Sequence, residues 1–139
     1  MFTYYGVKAL ITNSKGKILL LQTDPNKRIN PLYIDYWDLP GGLINHGEDL
    51  QNALKREMLE ETGIDKVKIG KLIGQVIAKI RKPYKNVMAG IKLSVYKCSI
   101  QTPAKIQLSD EHKHSKWFNV DEAKILLSYK YNQDFIDLL

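Results

Sequence analysis

The first part of the chain alternates apolar and polar residues with the period of two that is typical of half-buried β-strands. The alternation extends from Tyr4 to Asn13, and the turn sequence Asn13-Ser14-Lys15-Gly16 follows it directly. Lys17 to Thr23 is again rich in aliphatic residues, so the pattern predicts a β-hairpin. The next segment, Asp24 to Asp35, is mostly polar and contains two prolines, which predicts a loop.

The central part of the chain changes from a period of two to a helical period. Tyr36 to Leu39 predicts a short strand, and Pro40-Gly41-Gly42 predicts a break in regular structure. Apolar residues then recur with helical spacing from Asp49 to Thr62, and Gly63 supplies the glycine that commonly ends a helix.

The remaining residues predict mostly strands. Val67 to Ile80 and Asn86 to Ile100 are long β-rich stretches, which we expect to be joined near Lys82-Pro83-Tyr84-Lys85. His114 to Val120 predicts another strand, and Asp121 to Leu127 and Asn132 to Leu139 predict helical segments. Strands dominate and helices flank them, so we expect one α+β domain over residues 1–139.

Composition and charge limit the classes of function without selecting one. The 139 residues are 44% hydrophobic and 26% charged, as in ordinary globular domains, and the net charge of +6 favours an anionic partner. The longest aliphatic run, Ile18 to Leu21, is far shorter than the about 20 residues of a membrane span. Met1 to Leu10 shows no signal-peptide pattern, and Cys98 is the single cysteine. We therefore expect a cytoplasmic protein without disulfides, in which Cys98 is a packing residue.

The predicted central helix carries its acidic residues on an unusual side. At about 100° per residue, Glu57, Glu60 and Glu61 share the azimuth of Leu50 and Leu54, which form the apolar stripe of the first half. A helix that was merely solvated would place its acids on the polar side. The second half of this helix therefore directs three carboxylates toward the rest of the protein.

Three neighbouring carboxylates on one helix face repel one another. Pairs of like charges three or four residues apart cost a few tenths of a kcal/mol each, and the C-terminal half of a helix disfavours acids. Arg56 can offset part of this repulsion, but it is one cation against three carboxylates. A hard divalent cation such as Mg²⁺ or Mn²⁺ is the natural remedy, and a structural network of ion pairs is the alternative.

The spacing of these residues resembles the Nudix box at every defined position. Gly42, Glu48 and the run Arg56 to Ile64 match G-x5-E-x7-R-E-U-x-E-E-x-G-U, where U is a bulky aliphatic residue. Trp37 to Gly41 also looks like the usual lead-in to this motif. The resemblance implies an α/β/α sandwich around a mixed β-sheet. It also implies hydrolysis of a phosphoanhydride bond in a nucleoside diphosphate-linked substrate, with divalent metals.

The resemblance also implies roles for individual residues. Glu57, Glu60 and Glu61 are the expected metal ligands, and the Gly42 carbonyl is a further one. Glu48 is expected to support the site through Arg56. The general base is either a box glutamate, with Glu60 and Glu61 as candidates, or Glu111 in the segment Ser109-Asp110-Glu111-His112, for which an exposed loop acid is the alternative.

Basic and aromatic residues beyond the box are candidates for substrate contacts. Lys79 and Arg81 would share one face of a strand, and Tyr84 follows them, so the three could hold a polyphosphate and stack on a base. The alternative is a solvated hairpin tip. None of His46, His112 and His114 fits a metal-ligand pattern, and we expect them in loops, with His112 as a candidate for touching substrate.

These observations favour a small phosphorylated nucleotide over nucleic acid as the partner. Residues 42–64 contain five acids and two bases, a net charge of −3, so the rest of the chain carries +9. A metal would offset the acidic segment, and the basic remainder would attract a polyphosphate. We expect a nucleoside triphosphate or a dinucleoside polyphosphate as substrate and a monomer or homodimer as the assembly. The alternatives are a non-catalytic nucleotide or RNA sensor and an RNA 5′-end pyrophosphohydrolase.

Overall fold

The computed structural model describes residues 3–23, 36–100, 105–109 and 112–139, and its regular elements follow the predicted order. The strands are β1 (Thr3–Thr12), β2 (Ile18–Thr23), β3 (Trp37–Asp38), β4 (Gly41–Leu43), β5 (Val67–Ile77), β6 (Lys82–Tyr84), β7 (Val87–Ile100) and β8 (His112–Phe118). The helices are α1 (Leu50–Thr62), α2 (Val120–Leu127) and α3 (Gln133–Ile136). The predicted loop from Asp24 to Asp35 lies outside the described residues.

The strands form a mixed sheet in the order β3-β2-β1-β7-β5. β1 and β7 are parallel, with register from Thr3 opposite Gly90 to Thr12 opposite Ser99. The other strand pairs are antiparallel: β4 pairs with β1, β6 with β7, and β8 with β2. The expected α+β fold with a mixed sheet is confirmed.

Each face of the sheet packs against helices, because the side chains of β1 alternate between two hydrophobic clusters. Val7, Ala9 and Ile11 pack with Ala53, Leu54 and Met58 of α1 on one face. Leu10 and its neighbours on β7 pack on the opposite face with Leu127 of α2 and Phe135 of α3. The alternation that predicts β1 therefore reflects a strand that is buried on both faces.

Local signals position α1 as predicted. The Asp49 carboxylate accepts a hydrogen bond from the Asn52 N–H at 2.7 Å, which caps the first turn. Gly63 has a φ of 74°, and its N–H donates to the Leu59 carbonyl at 3.0 Å. Asp121 was expected to cap α2, but the capping residue is Asn119, two positions earlier, and α2 begins at Val120.

Two short strands replace predicted irregular segments. A break was expected at Pro40-Gly41-Gly42, but Gly41 to Leu43 pairs with β1 as β4, because backbone groups pair there without an apolar side-chain pattern. Of the connection expected at Lys82-Pro83-Tyr84-Lys85, Lys82 to Tyr84 forms β6, and only Lys85, whose φ is 54°, lies in the turn. Among the described residues, no helix is long and apolar enough to cross a membrane.

Candidate functional site

The first feature of the site is the contact between α1 and β4. The Glu57 carboxylate lies directly against the Cα of Gly42, so a Cβ at position 42 would be 2.5 Å from Cδ of Glu57. Any larger residue at position 42 would force this carboxylate to move from its present position. Burial raises the pKa of Glu57, while the hydrogen bond and the charge of Arg56 oppose that rise.

Glu61 is directed furthest into the protein. It is 2% exposed, and its Oε1 accepts a hydrogen bond from the Gly41 N–H at 2.7 Å. Its other oxygen, Oε2, lies 3.5 Å from Nδ1 of His112. His112 was expected in a loop, but it is the buried first residue of β8, and the structure brings it to the predicted site.

Arg56 joins the acidic residues of the segment. Its Nε and Nη2 donate to the two carboxylate oxygens of Glu48 at 2.8 and 2.9 Å, and Nη2 also donates to the Leu43 carbonyl at 3.1 Å. Its Nη1 donates to Glu57 at 2.9 Å and to Glu60 at 3.3 Å. The hydrogen bonds from Arg56 lower the pKa of Glu48, and those to Glu48 raise the pKa of Arg56.

The three box glutamates share a direction but differ in depth. The side chain of Glu61 is 3% exposed, that of Glu57 is 13% exposed and that of Glu60 is 57% exposed. The helix geometry therefore brings Glu57 and Glu61 against the Gly41-Gly42 backbone and leaves Glu60 at the surface beside Arg56.

A buried charge cluster that the sequence analysis missed lies beneath β4. The Asp38 carboxylate accepts hydrogen bonds from Lys8 at 3.1 Å, from Lys130 at 2.6 Å and from the Tyr131 hydroxyl at 2.6 Å. Burial alone would raise the pKa of Asp38, but the ammonium groups of Lys130 and Lys8 outweigh it and hold that pKa well below its usual value. The available sequence signal was Lys8 itself, a lysine two residues from Leu10 on the same buried face of β1.

The residues predicted to contact substrate have other partners or lie elsewhere. Lys79 donates to the Ser128 carbonyl at 2.9 Å, and Tyr84 packs edge-on against Tyr4 with ring centroids 6.1 Å apart. Arg81 is exposed. Tyr4 is opposite Ile91, which packs on the α2 face, so the structure does not bring Tyr84 to the box glutamates on the α1 face. Glu111 lies outside the described residues.

The chemistry of the donor set fits a hard divalent cation. Carboxylate oxygens and a glycine carbonyl are the ligands that Mg²⁺ and Mn²⁺ prefer, and the absence of a side chain at Gly42 makes room for one of those carboxylates. Over the described ranges, however, no three His, Cys, Asp or Glu side chains surround a common point. The three box carboxylates are directed at different partners, because Glu57 and Glu60 accept hydrogen bonds from Arg56 and Glu61 accepts one from the Gly41 N–H.

Comparison with known proteins adds family relationships to this geometry. The family model described as NUDIX domain matches residues 3–139. The crystal structure of a MutT protein from Methanosarcina mazei Go1 is 31% identical, with a TM-score of 0.76, and the match covers 97% of this chain and 91% of that one. A C. elegans Ap4A hydrolase is 25% identical, with a TM-score of 0.68 and the same two coverages, 97% and 91%. The nucleoside diphosphate-linked moiety X motif 6 protein of Xenopus laevis is 45% identical over 56 residues, 40% of this chain but only 23% of its own length.

Proposed function

The chain belongs to the Nudix hydrolase family, and from this premise we propose that it is a divalent-metal-dependent pyrophosphohydrolase acting on a nucleoside diphosphate-linked substrate. The observation that carries the proposal is the seating of two box carboxylates on two adjacent glycines. Glu57 lies against Gly42, and Glu61 accepts the N–H of Gly41. A helix that was merely solvated would have no reason to direct these carboxylates at the backbone of a neighbouring strand.

In this proposal Glu57, Glu60, Glu61 and the Gly42 carbonyl hold the cation, which is Mg²⁺ or Mn²⁺. A divalent cation bound there supplies positive charge against a diphosphate and acts as a Lewis acid toward water. Glu57 and Glu60 would exchange part of their contact with Arg56 for contact with the cation. Arg56 then keeps its paired hydrogen bonds to Glu48, which fix the guanidinium beside the helix.

The reaction is attack of water on phosphorus, with cleavage of a P–O bond of the anhydride and departure of a phosphate that carries the bonding electrons. A carboxylate takes the proton from the water, and the candidates for this general base are Glu60, Glu61 and Glu111. Glu60 is the exposed one of the two box candidates, and Glu61 is the buried one. Each of the three is replaced by glutamine and kcat is measured against pH at saturating Mg²⁺, so that loss of the base is separated from loss of the cation.

The substrate we favour is a nucleoside triphosphate or a dinucleoside polyphosphate. The similarity to a protein named Ap4A hydrolase supports the second of these. The net charge of +9 outside the box supports a polyphosphate in either case, because it attracts a highly anionic ligand toward the acidic segment.

The test is a substrate panel with Mg²⁺ or Mn²⁺ and detection of released phosphate or pyrophosphate. The panel contains nucleoside triphosphates, dinucleoside polyphosphates and 5′-triphosphate RNA, and it compares wild type with Glu57→Gln and Glu61→Gln. We expect metal-dependent turnover by wild type and a loss of at least about a hundredfold in each variant. Glu122→Gln, which changes an exposed acid of α2, is the matched control and keeps full activity.

Three results would point away from the proposal. Absence of turnover on every diphosphate-linked substrate contradicts hydrolase activity. Salt-sensitive RNA binding without turnover favours a sensor. Release of pyrophosphate from 5′-triphosphate RNA alone favours the RNA-processing alternative.

A further inference from the structure

The Lys8 ammonium group is buried on the opposite side of β4 from the box glutamates. Lys8 is 3% exposed, and its Nζ donates to Asp38 at 3.1 Å, to the Leu39 carbonyl at 3.1 Å and to the Gly41 carbonyl at 3.3 Å. These three acceptors match the three protons of an ammonium group. A buried lysine that donates to three groups of one short segment holds the shape of that segment.

The segment held by Lys8 is the one that carries the site. Gly41 gives its carbonyl to Lys8 and its N–H to Glu61, so both of its polar backbone groups are fixed. The φ of Gly41 is 142°, and a Cβ there would be 2.1 Å from the Val7 carbonyl oxygen, so only glycine fits at this position. The next residue, Gly42, lies against Glu57.

We propose that Lys8 is a positioning residue for catalysis, which holds the Leu39–Gly41 backbone. In this position the Gly41 N–H faces Glu61, and the Cα of Gly42 lies against Glu57. The inference rests on the proposed function, because it assigns a role in the activity of the same site. The role assigned to Lys8 is one of position, because its hydrogen bonds to Asp38, Leu39 and Gly41 reach the backbone beside the box glutamates.

Asp38 contacts Lys8 and also contacts the C-terminal part of the chain. The carboxylate is fully buried and is held by Lys130 and Tyr131, which follow α2, and by the Leu39 N–H at 2.7 Å. The Lys8–Asp38 pair therefore connects the end of α2 with the strand below the glutamates. A purely structural ion cluster would stabilise the fold in the same way through either lysine, and this provides the test.

The experiment compares Lys8→Met with Lys130→Met as a matched pair. Each variant removes one ammonium group from Asp38, which keeps the other lysine and Tyr131, so neither leaves the carboxylate as an isolated buried charge. Only Lys8 also reaches the carbonyls of Leu39 and Gly41. Thermal unfolding is measured for both variants. The values of kcat and KM with Mg²⁺ and the hydrogen exchange of the Gly41 amide are then measured at a temperature at which both variants are folded.

We expect both variants to lose thermal stability, while kcat falls by about a hundredfold in Lys8→Met only and KM stays near the wild-type value. The exchange protection of the Gly41 amide should fall at least about tenfold in Lys8→Met and stay unchanged in Lys130→Met. Equal losses of kcat in the two variants, or a Lys8→Met variant with wild-type kcat and Gly41 protection, would overturn the assignment.

Two further arms keep the test decisive. If Lys8→Met does not fold, Lys8→Met with Asp38→Asn is compared with Lys130→Met with Asp38→Asn by the same measurements. Each double variant removes the carboxylate and one ammonium group and leaves one buried ammonium group, so the two variants are matched in charge. If wild type hydrolyses no substrate, the proposed function fails, whereas the exchange of the Gly41 amide still decides whether Lys8 holds this backbone.

Discussion

Gly42→Ala tests the contact between β4 and α1 with the smallest available change. The new Cβ would lie 2.5 Å from Cδ and Oε1 of Glu57, and ordinary contact begins at 3.4 Å. The carboxylate must therefore retreat by about 0.9 Å, the difference between these distances. A misplacement of about 1 Å in a catalytic group costs roughly a hundredfold in rate, which is about 2.7 kcal/mol of transition-state stabilisation.

The stability of the protein should change much less than its activity. The group that must move is the end of a flexible side chain, so we expect the free energy of unfolding to fall by only about 1 kcal/mol. The assay is kcat with saturating Mg²⁺, together with urea unfolding. Gly90→Ala is the control, because a Cβ at that position meets no atom within 4 Å and both quantities should stay at wild-type values. A Gly42→Ala variant with wild-type kcat would refute the placement of Glu57 in the reaction.

Three other changes test separate parts of the structure. Because the folded-state pKa of Asp38 is depressed, its contribution to stability is complete above its unfolded pKa of about 3.9 and is lost as the pH falls below that value. Urea unfolding between pH 6 and 2, at steps of about one unit, should therefore show a free energy of unfolding that falls on acidification, and falls less in Asp38→Asn than in wild type. An equal dependence of this free energy on pH in the two proteins would contradict the buried ion cluster. Arg56→Lys cannot form the paired hydrogen bonds to Glu48, so kcat should fall about tenfold, whereas Lys55→Arg on the exposed side should have no effect. Burial raises the pKa of the Cys98 thiol to about 12, so iodoacetamide at pH 8 should alkylate the thiol in urea but not in the native protein. Fast alkylation of the native protein would show that β7 is not packed as described.

The elements that could be predicted from the sequence are those whose signals are local. Asp49 and Gly63 fix the two ends of α1 through hydrogen bonds to residues three and four positions away. The alternation along β1 predicts both its burial and its two faces, since each face of the sheet meets a different hydrophobic cluster. Caps and side-chain periods do not depend on distant parts of the chain, and so they can be interpreted before the fold is known.

The features that could not be predicted depend on contacts between distant residues. Asp38 meets Lys8 across 30 positions and Lys130 across 92, and no local pattern connects them. β4 was missed because its pairing with β1 uses backbone groups of Gly41 and Gly42, which carry no side-chain signal. The helical wheel predicts the direction of the three glutamates but not their depth, because depth depends on where β4 packs against α1.

The depth of these glutamates changes the argument from their charge. The sequence indicated one arginine against three carboxylates, but the fold adds the Gly41 N–H for Glu61 and leaves Glu60 in solvent beside Arg56. Glu57 is different, because burial against Gly42 removes most of its water and Arg56 compensates only one of its oxygens in the hydrogen bonds of the described residues. A carboxylate that has already lost water has less to lose when it binds a cation. Of the three, Glu57 is therefore the residue whose charge a bound divalent cation would stabilise most, and the backbone that positions it is the segment held by Lys8.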